Sequence, residues 1–128
     1  LGYEVGKVPG LDTTAFAADE HLVKLAFEES ERIRPGHTKT GRVATGDQFV
    51  SSQELKDRII ADTGAKCTEM EGAAIAQVAY VNQVPFVILR AISDKADGSA
   101  ELDYPTFEKM AAANCAAVTE ALAKRLAE

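Results

Sequence analysis

Residues 66–97 read KCTEMEGAAIAQVAYVNQVPFVILRAISDKAD, and the order of patterns within them decides the fold. KCTEM, over 66–70, suits a short strand. EGAAIAQVAYV, over 71–81, predicts a helix rich in small residues. VPFVILRAI, over 84–92, is a nearly continuous apolar run bounded by Pro85 and by Ser93-Asp94, the pattern of a strand buried on both faces. Strand, helix and strand at this spacing predict a parallel crossover unit.

The flanks extend the same architecture. Residues 18–33 place Leu22, Leu25, Ala26 and Ile33 on one helical face, and Pro35-Gly36 ends that helix. Residues 38–45, TKTGRVAT, suit a strand. Ser51 or Ser52 can cap a helix running to about Thr63, with Glu54 near its start and Gly64 as its stop. From about Tyr104 to Ala127 a single helix is expected, capped by Asp103, with Pro105 harmless in its first turn. Phe107, Ala111, Cys115, Val118 and Leu122 form its buried stripe, flanked by Met110 and Ala121, with Asn114 at the edge. Residues 1–128 show no repeat, low-complexity stretch or linker, so they form a piece of one α/β layer structure.

Composition narrows the class. Of 128 residues 46% are hydrophobic and 27% charged, as in ordinary soluble domains. No stretch approaches the roughly 20 apolar residues of a membrane helix. The start, LGYEVGKVPG, has no export-signal pattern, so a cytoplasmic location is expected. That start lacks an initiator Met and enters in mid-pattern, as expected of a fragment. Fourteen basic against 20 acidic residues give a formal charge of −6, against a nucleic-acid partner. Cys67 and Cys115 make no metal-spaced pair and suit small buried thiols. His21 and His37 sit in polar surroundings and suit a solvated surface. Neither a metal nor a cofactor is expected.

Open parallel sheets bind ligands beyond the carboxyl ends of their strands. Three such ends are expected here: Gly46-Asp47-Gln48-Phe49, Glu69-Met70-Glu71-Gly72 and Ser93-Asp94-Lys95-Ala96-Asp97. Each carries a carboxylate, and one adds an aromatic ring. Each also has a plainer reading. Asp47 closes a turn or caps a helix as readily as it binds a ligand. Glu71 could complement a helix dipole at the surface. The small residues after it, Gly72, Ala73 and Ala74, instead point to a tightly packed helix start. Asp94 is an exposed turn residue or a functional acid held just past a buried strand. Spacing alone leaves these pairs of readings open.

The segments TEMEGAAIA and VPFVILRAISDKAD resemble the purine nucleosidase and phosphorylase superfamily, and most specifically the 5′-methylthioadenosine/S-adenosylhomocysteine nucleosidases. GYEVGKVPG and ATGDQFV match that family in order and spacing. The resemblance is strong over Glu69–Asp97 and weaker over 18–33 and 52–63. It implies a three-layer α/β/α fold with a twisted, mixed, largely parallel sheet, incomplete here because the family's amino-terminal half has no counterpart in the chain.

The resemblance also implies a reaction, hydrolysis of the bond between adenine and a 5′-thio-substituted ribose. Asp94 corresponds to the acid that protonates adenine N7. A free aspartic acid has a pKa of about 3.9, so burial or the purine must hold that proton. Ser93 corresponds to a residue orienting the acid. Glu71 corresponds to the acceptor of the ribose hydroxyl, and Met70 to the side chain beneath the sugar. Phe49 matches the ring stacked on adenine, and the Val50 backbone matches the group reading the adenine edge. Tyr104 matches an aromatic position on the 5′ side. Leu1 and Pro9 match positions that reach a neighbouring subunit's pocket, which implies an isologous homodimer. The water-activating glutamate belongs to the half without a counterpart, so the fragment alone is expected to be inactive. Two other functions share these motifs: purine nucleoside phosphorolysis, and non-catalytic nucleoside binding or storage on the same fold.

Overall fold

The structure is a computed structural model and describes residues 2–93 and 104–128, Tyr104 by its backbone only. The elements in chain order are α1 (Glu20–Ile33), β1 (Val43–Thr45), α2 (Gln53–Thr63), β2 (Cys67–Glu69), α3 (Gly72–Val81) and α4 (Tyr104–Leu126). The chain is thus α/β, as expected.

Capping chemistry sets the helix limits. Asp19 Oδ1 accepts from the Leu22 N–H at 2.9 Å, so α1 opens at Glu20, two residues later than the expected 18–33. Beyond α1 the Glu31 carboxylate accepts from the N–H groups of Gly36 (2.8 Å) and Thr38 (2.9 Å), fixing the turn that Pro35-Gly36 begins. Of the two candidate caps for α2, Ser52 takes the role and accepts from Leu55 N–H. Gly64 closes α2 in the left-handed region at φ 67°. At the end of α3, Gln83 adopts φ 56° and the Val84 N–H reaches back to the Ala79 carbonyl at 2.9 Å.

β1 and β2 pair in parallel, with Val43 opposite Cys67, Ala44 opposite Thr68 and Thr45 opposite Glu69. The crossover of this parallel pair is α2, one element earlier than the crossover expected through α3. Strand β1 is also shorter than 38–45. Bonds from Lys66 N–H to Arg42 O and from Gly46 N–H to Glu69 O extend the pairing by one step at each end.

The run 84–92 corrects an expectation. Among the described residues it joins no ladder, and it is half-buried rather than enclosed on both faces. Val87 and Leu89, two apart and therefore on one side of an extended chain, pack on the core formed by Leu25, Ala26 and Leu122. Phe86 O accepts from Asp19 N–H at 2.8 Å, tying the run to the start of α1. Val84 and Ile92 at its ends are exposed. A strand needs a cover on each face to be enclosed, and α1 with α4 supplies one. The expected stripe of α4 is observed: Val118 and Leu122 are buried, Phe107, Ala111 and Cys115 are half-buried, and Met110 is exposed. Across the same interface Arg125 pairs with Glu28 (2.6 Å) and with the buried Glu29 (3.3 Å).

Cys67 and Cys115 are unpaired thiols, both half-buried, and His21 and His37 are exposed. No helix among the described residues is long and apolar enough to cross a membrane. The proposed cap Asp103 lies outside the described residues.

Candidate active site at the carboxyl ends of the strands

Beyond β2 the chain makes a tight turn into α3, and one buried carboxylate organises it. Glu69 is 6% exposed. Its Oε2 accepts from the Glu71 N–H at 3.0 Å and from the Gly72 N–H at 2.7 Å, while Oε1 accepts from the Thr45 hydroxyl. Thr45 Oγ1 in turn accepts from the Ala73 N–H at 2.8 Å. The first donors of α3 are therefore taken by groups at the ends of both strands rather than by a local cap, and Glu71 itself makes no capping bond. Burial pushes the Glu69 carboxyl up. The Thr45 hydroxyl, the two backbone N–H groups and Arg90 outweigh that and hold it below its ordinary range.

With Glu69 turned inward, the next two side chains turn outward. Met70 is 46% exposed and the Glu71 side chain 62% exposed. Arg90, on the 84–92 run, donates to Glu71 Oε2 at 3.1 Å and lies 3.8 Å from Glu69 Oε2. The structure thus brings together Thr45, Glu69, Glu71 and Arg90. Beyond β1, Phe49 is 73% exposed, whereas Val50 beside it is 7% exposed and anchors the loop. Ser93 is half-buried, and Pro9 is exposed in a turn of the amino-terminal segment. Asp94 and Leu1 lie outside the described residues, as does the side chain of Tyr104.

Sequence reasoning passed over Glu69 and Arg90 as site residues. Glu69 and Glu71 are two apart in an extended segment, so the pattern gives no preference for which one faces inward. The available signal was the Gly72-Ala73 pair, whose backbone N–H groups need an acceptor at a helix start that has no Ser, Thr, Asp or Asn cap.

An α/β chain that presents an exposed ring and a braced, exposed carboxylate at its strand ends has the layout of a ligand-binding α/β enzyme domain. The chain belongs to the phosphorylase superfamily, whose family model matches residues 1–124. It is 39% identical over 127 residues to the 5′-methylthioadenosine/S-adenosylhomocysteine nucleosidase of Exiguobacterium sp., covering 98% of this chain and 54% of that one. Among solved structures it is similar to the Neisseria meningitidis nucleosidase in complex with methylthio-immucillin-A, with TM-score 0.84 and 37% identity, over 97% of this chain and 54% of that chain. It is also similar to a futalosine hydrolase mutant of Helicobacter pylori, with TM-score 0.82 and 30% identity, over 97% and 53%. The chain spans about half the length of the relatives it matches.

Proposed function

We propose that this chain supplies the base- and ribose-binding side of a nucleosidase that hydrolyses 5′-methylthioadenosine and S-adenosylhomocysteine. The observation that carries the proposal is the exposed Glu71 carboxylate on a turn braced by buried Glu69. A charged acceptor held open to solvent on rigid backbone suits ribose hydroxyls, and it gains strength as the sugar becomes cationic in the transition state. In this reading Asp94, oriented by Ser93, gives a proton to adenine N7 as the C1′–N9 bond breaks, and water oxygen bonds to C1′. Phe49 stacks on the base, the Val50 backbone reads its edge, Met70 lies beneath the sugar and Tyr104 lines the 5′ side. The proton that the water loses passes to a carboxylate base outside this chain, as the family resemblance implies.

Leu1 and Pro9 complete the pocket of a second subunit in a homodimer, and the enzyme works in the cytoplasm with no cofactor or metal. The chain forms the carboxy-terminal part of a single domain. The test is release of the purine base by the intact protein, adenine from 5′-methylthioadenosine and S-adenosylhomocysteine and hypoxanthine from futalosine, each with and without phosphate. Hydrolysis of the first two without phosphate, lost in Asp94→Asn with substrate binding kept, is the expected result. Strict phosphate dependence, or near-normal turnover by Asp94→Asn, overturns the proposal.

A further inference from the structure

We propose that Glu69 is the positioning residue of this site, a buried anion that aims Glu71 and locks the end of β1 to the start of α3. The inference rests on the nucleosidase reading and adds a residue to it. Four groups converge on the Glu69 carboxylate: the Thr45 hydroxyl, the N–H groups of Glu71 (3.0 Å) and Gly72 (2.7 Å), and the Arg90 guanidinium (3.8 Å). Its side chain is 2% exposed, so it is closed to substrate and acts only through its neighbours.

Two consequences follow from those partners. Because Glu69 holds the backbone N–H of Glu71 itself, it fixes the origin from which the Glu71 side chain projects. Because Thr45 both donates to Glu69 and accepts from the Ala73 N–H, the strand that leads to Phe49 is tied to the turn that carries Glu71. The separation between a base stacked on Phe49 and a ribose held by Glu71 is thereby set by one buried carboxylate. Arg90 adds a division of charge. It donates to Glu71 at 3.1 Å and lies 3.8 Å from Glu69, so loss of the Glu69 charge tightens the existing Arg90–Glu71 pair and weakens Glu71 as an acceptor for the ribose.

Glu69→Gln keeps shape and removes charge. Its amide has one acceptor oxygen where the carboxylate has two, and its NH2 donors meet Arg90 and the helix N–H groups. In the intact protein kcat for 5′-methylthioadenosine hydrolysis is expected to fall about 100-fold, the scale of a displacement of about 1 Å at a reacting group. The dissociation constant for adenine alone, measured on the same variant as a check on folding, is expected to stay within about twofold, since the base does not touch the ribose acceptor. Amide exchange at Glu71 and Gly72, followed by NMR, is expected to accelerate. Glu69→Asp, which keeps the charge but is one methylene shorter, is expected to fall between the two and serves if Glu69→Gln does not fold. A Glu69→Gln kcat within about threefold of wild type overturns the positioning role and leaves the nucleosidase reading standing. Parallel weakening of adenine and nucleoside binding also overturns it, since that marks a merely structural residue. Wild-type protein without hydrolytic activity overturns both.

Discussion

Replacing Thr45 separates its hydroxyl from its bulk. Thr45→Val removes a donor to the buried, ionised Glu69, a bond of a kind worth about 1.5–3 kcal/mol. It also strands the Ala73 N–H, which costs about 1 kcal/mol at a half-buried helix start, the low end for an unsatisfied donor. The side chain keeps its shape, so no cavity offsets or adds to these losses, and the expected destabilisation is about 2.5–4 kcal/mol. Thr45→Ser keeps the hydroxyl and removes one half-buried methyl group, for a loss of about 0.8 kcal/mol or less. Urea unfolding of the intact protein, compared at constant slope, measures both variants. A gap between them below about 0.5 kcal/mol would refute the claim that the hydroxyl bridges β1 to α3.

Leu122→Ala should cost about 2–3 kcal/mol by the same assay, the lower part of the usual range because no side chain of this core is wholly enclosed. Leu126→Ala, four residues on and 51% exposed, should stay within about 0.5 kcal/mol of wild type. Phe49→Ala should leave stability unchanged and weaken adenine binding by about 1–3 kcal/mol, the scale of base–aromatic stacking, by calorimetric titration. Glu69 is held below its ordinary value of 4.5, so its stabilisation is full above that value and is lost as pH falls through the lower folded value. Unfolding midpoints should therefore drop on acidification below about pH 4.5, less steeply in Glu69→Gln.

The helices were legible because their signals are local. Ser52 and Gly64 act within four residues of where they stand, and the α4 stripe needs only the helical repeat. The 84–92 run was misjudged for the converse reason. Apolar continuity shows that a segment can be covered on two faces, while actual cover depends on which elements lie against it. The site divides in the same way. Phe49 and Glu71 were marked as candidates by their position at strand ends, whereas Glu69 acquires its place from Thr45, 24 residues away, and from Arg90 on a third segment. Such a role is a property of three chain segments meeting, and no single stretch records it.

The packing of α4 on α1 also has a consequence in time. Arg125 and Glu28 are 97 residues apart, and Leu122 covers Leu25 and Ala26 over nearly the same span. A ribosome adds about 5–20 residues each second, so the apolar face of α1 waits on the order of 5–20 s for its partner helix to be made. Val87 and Leu89 emerge earlier and give that face a partial, extended cover. Of the two segments seen to pack on this face of α1, the run 84–92 is thus made first, and α4 completes the cover.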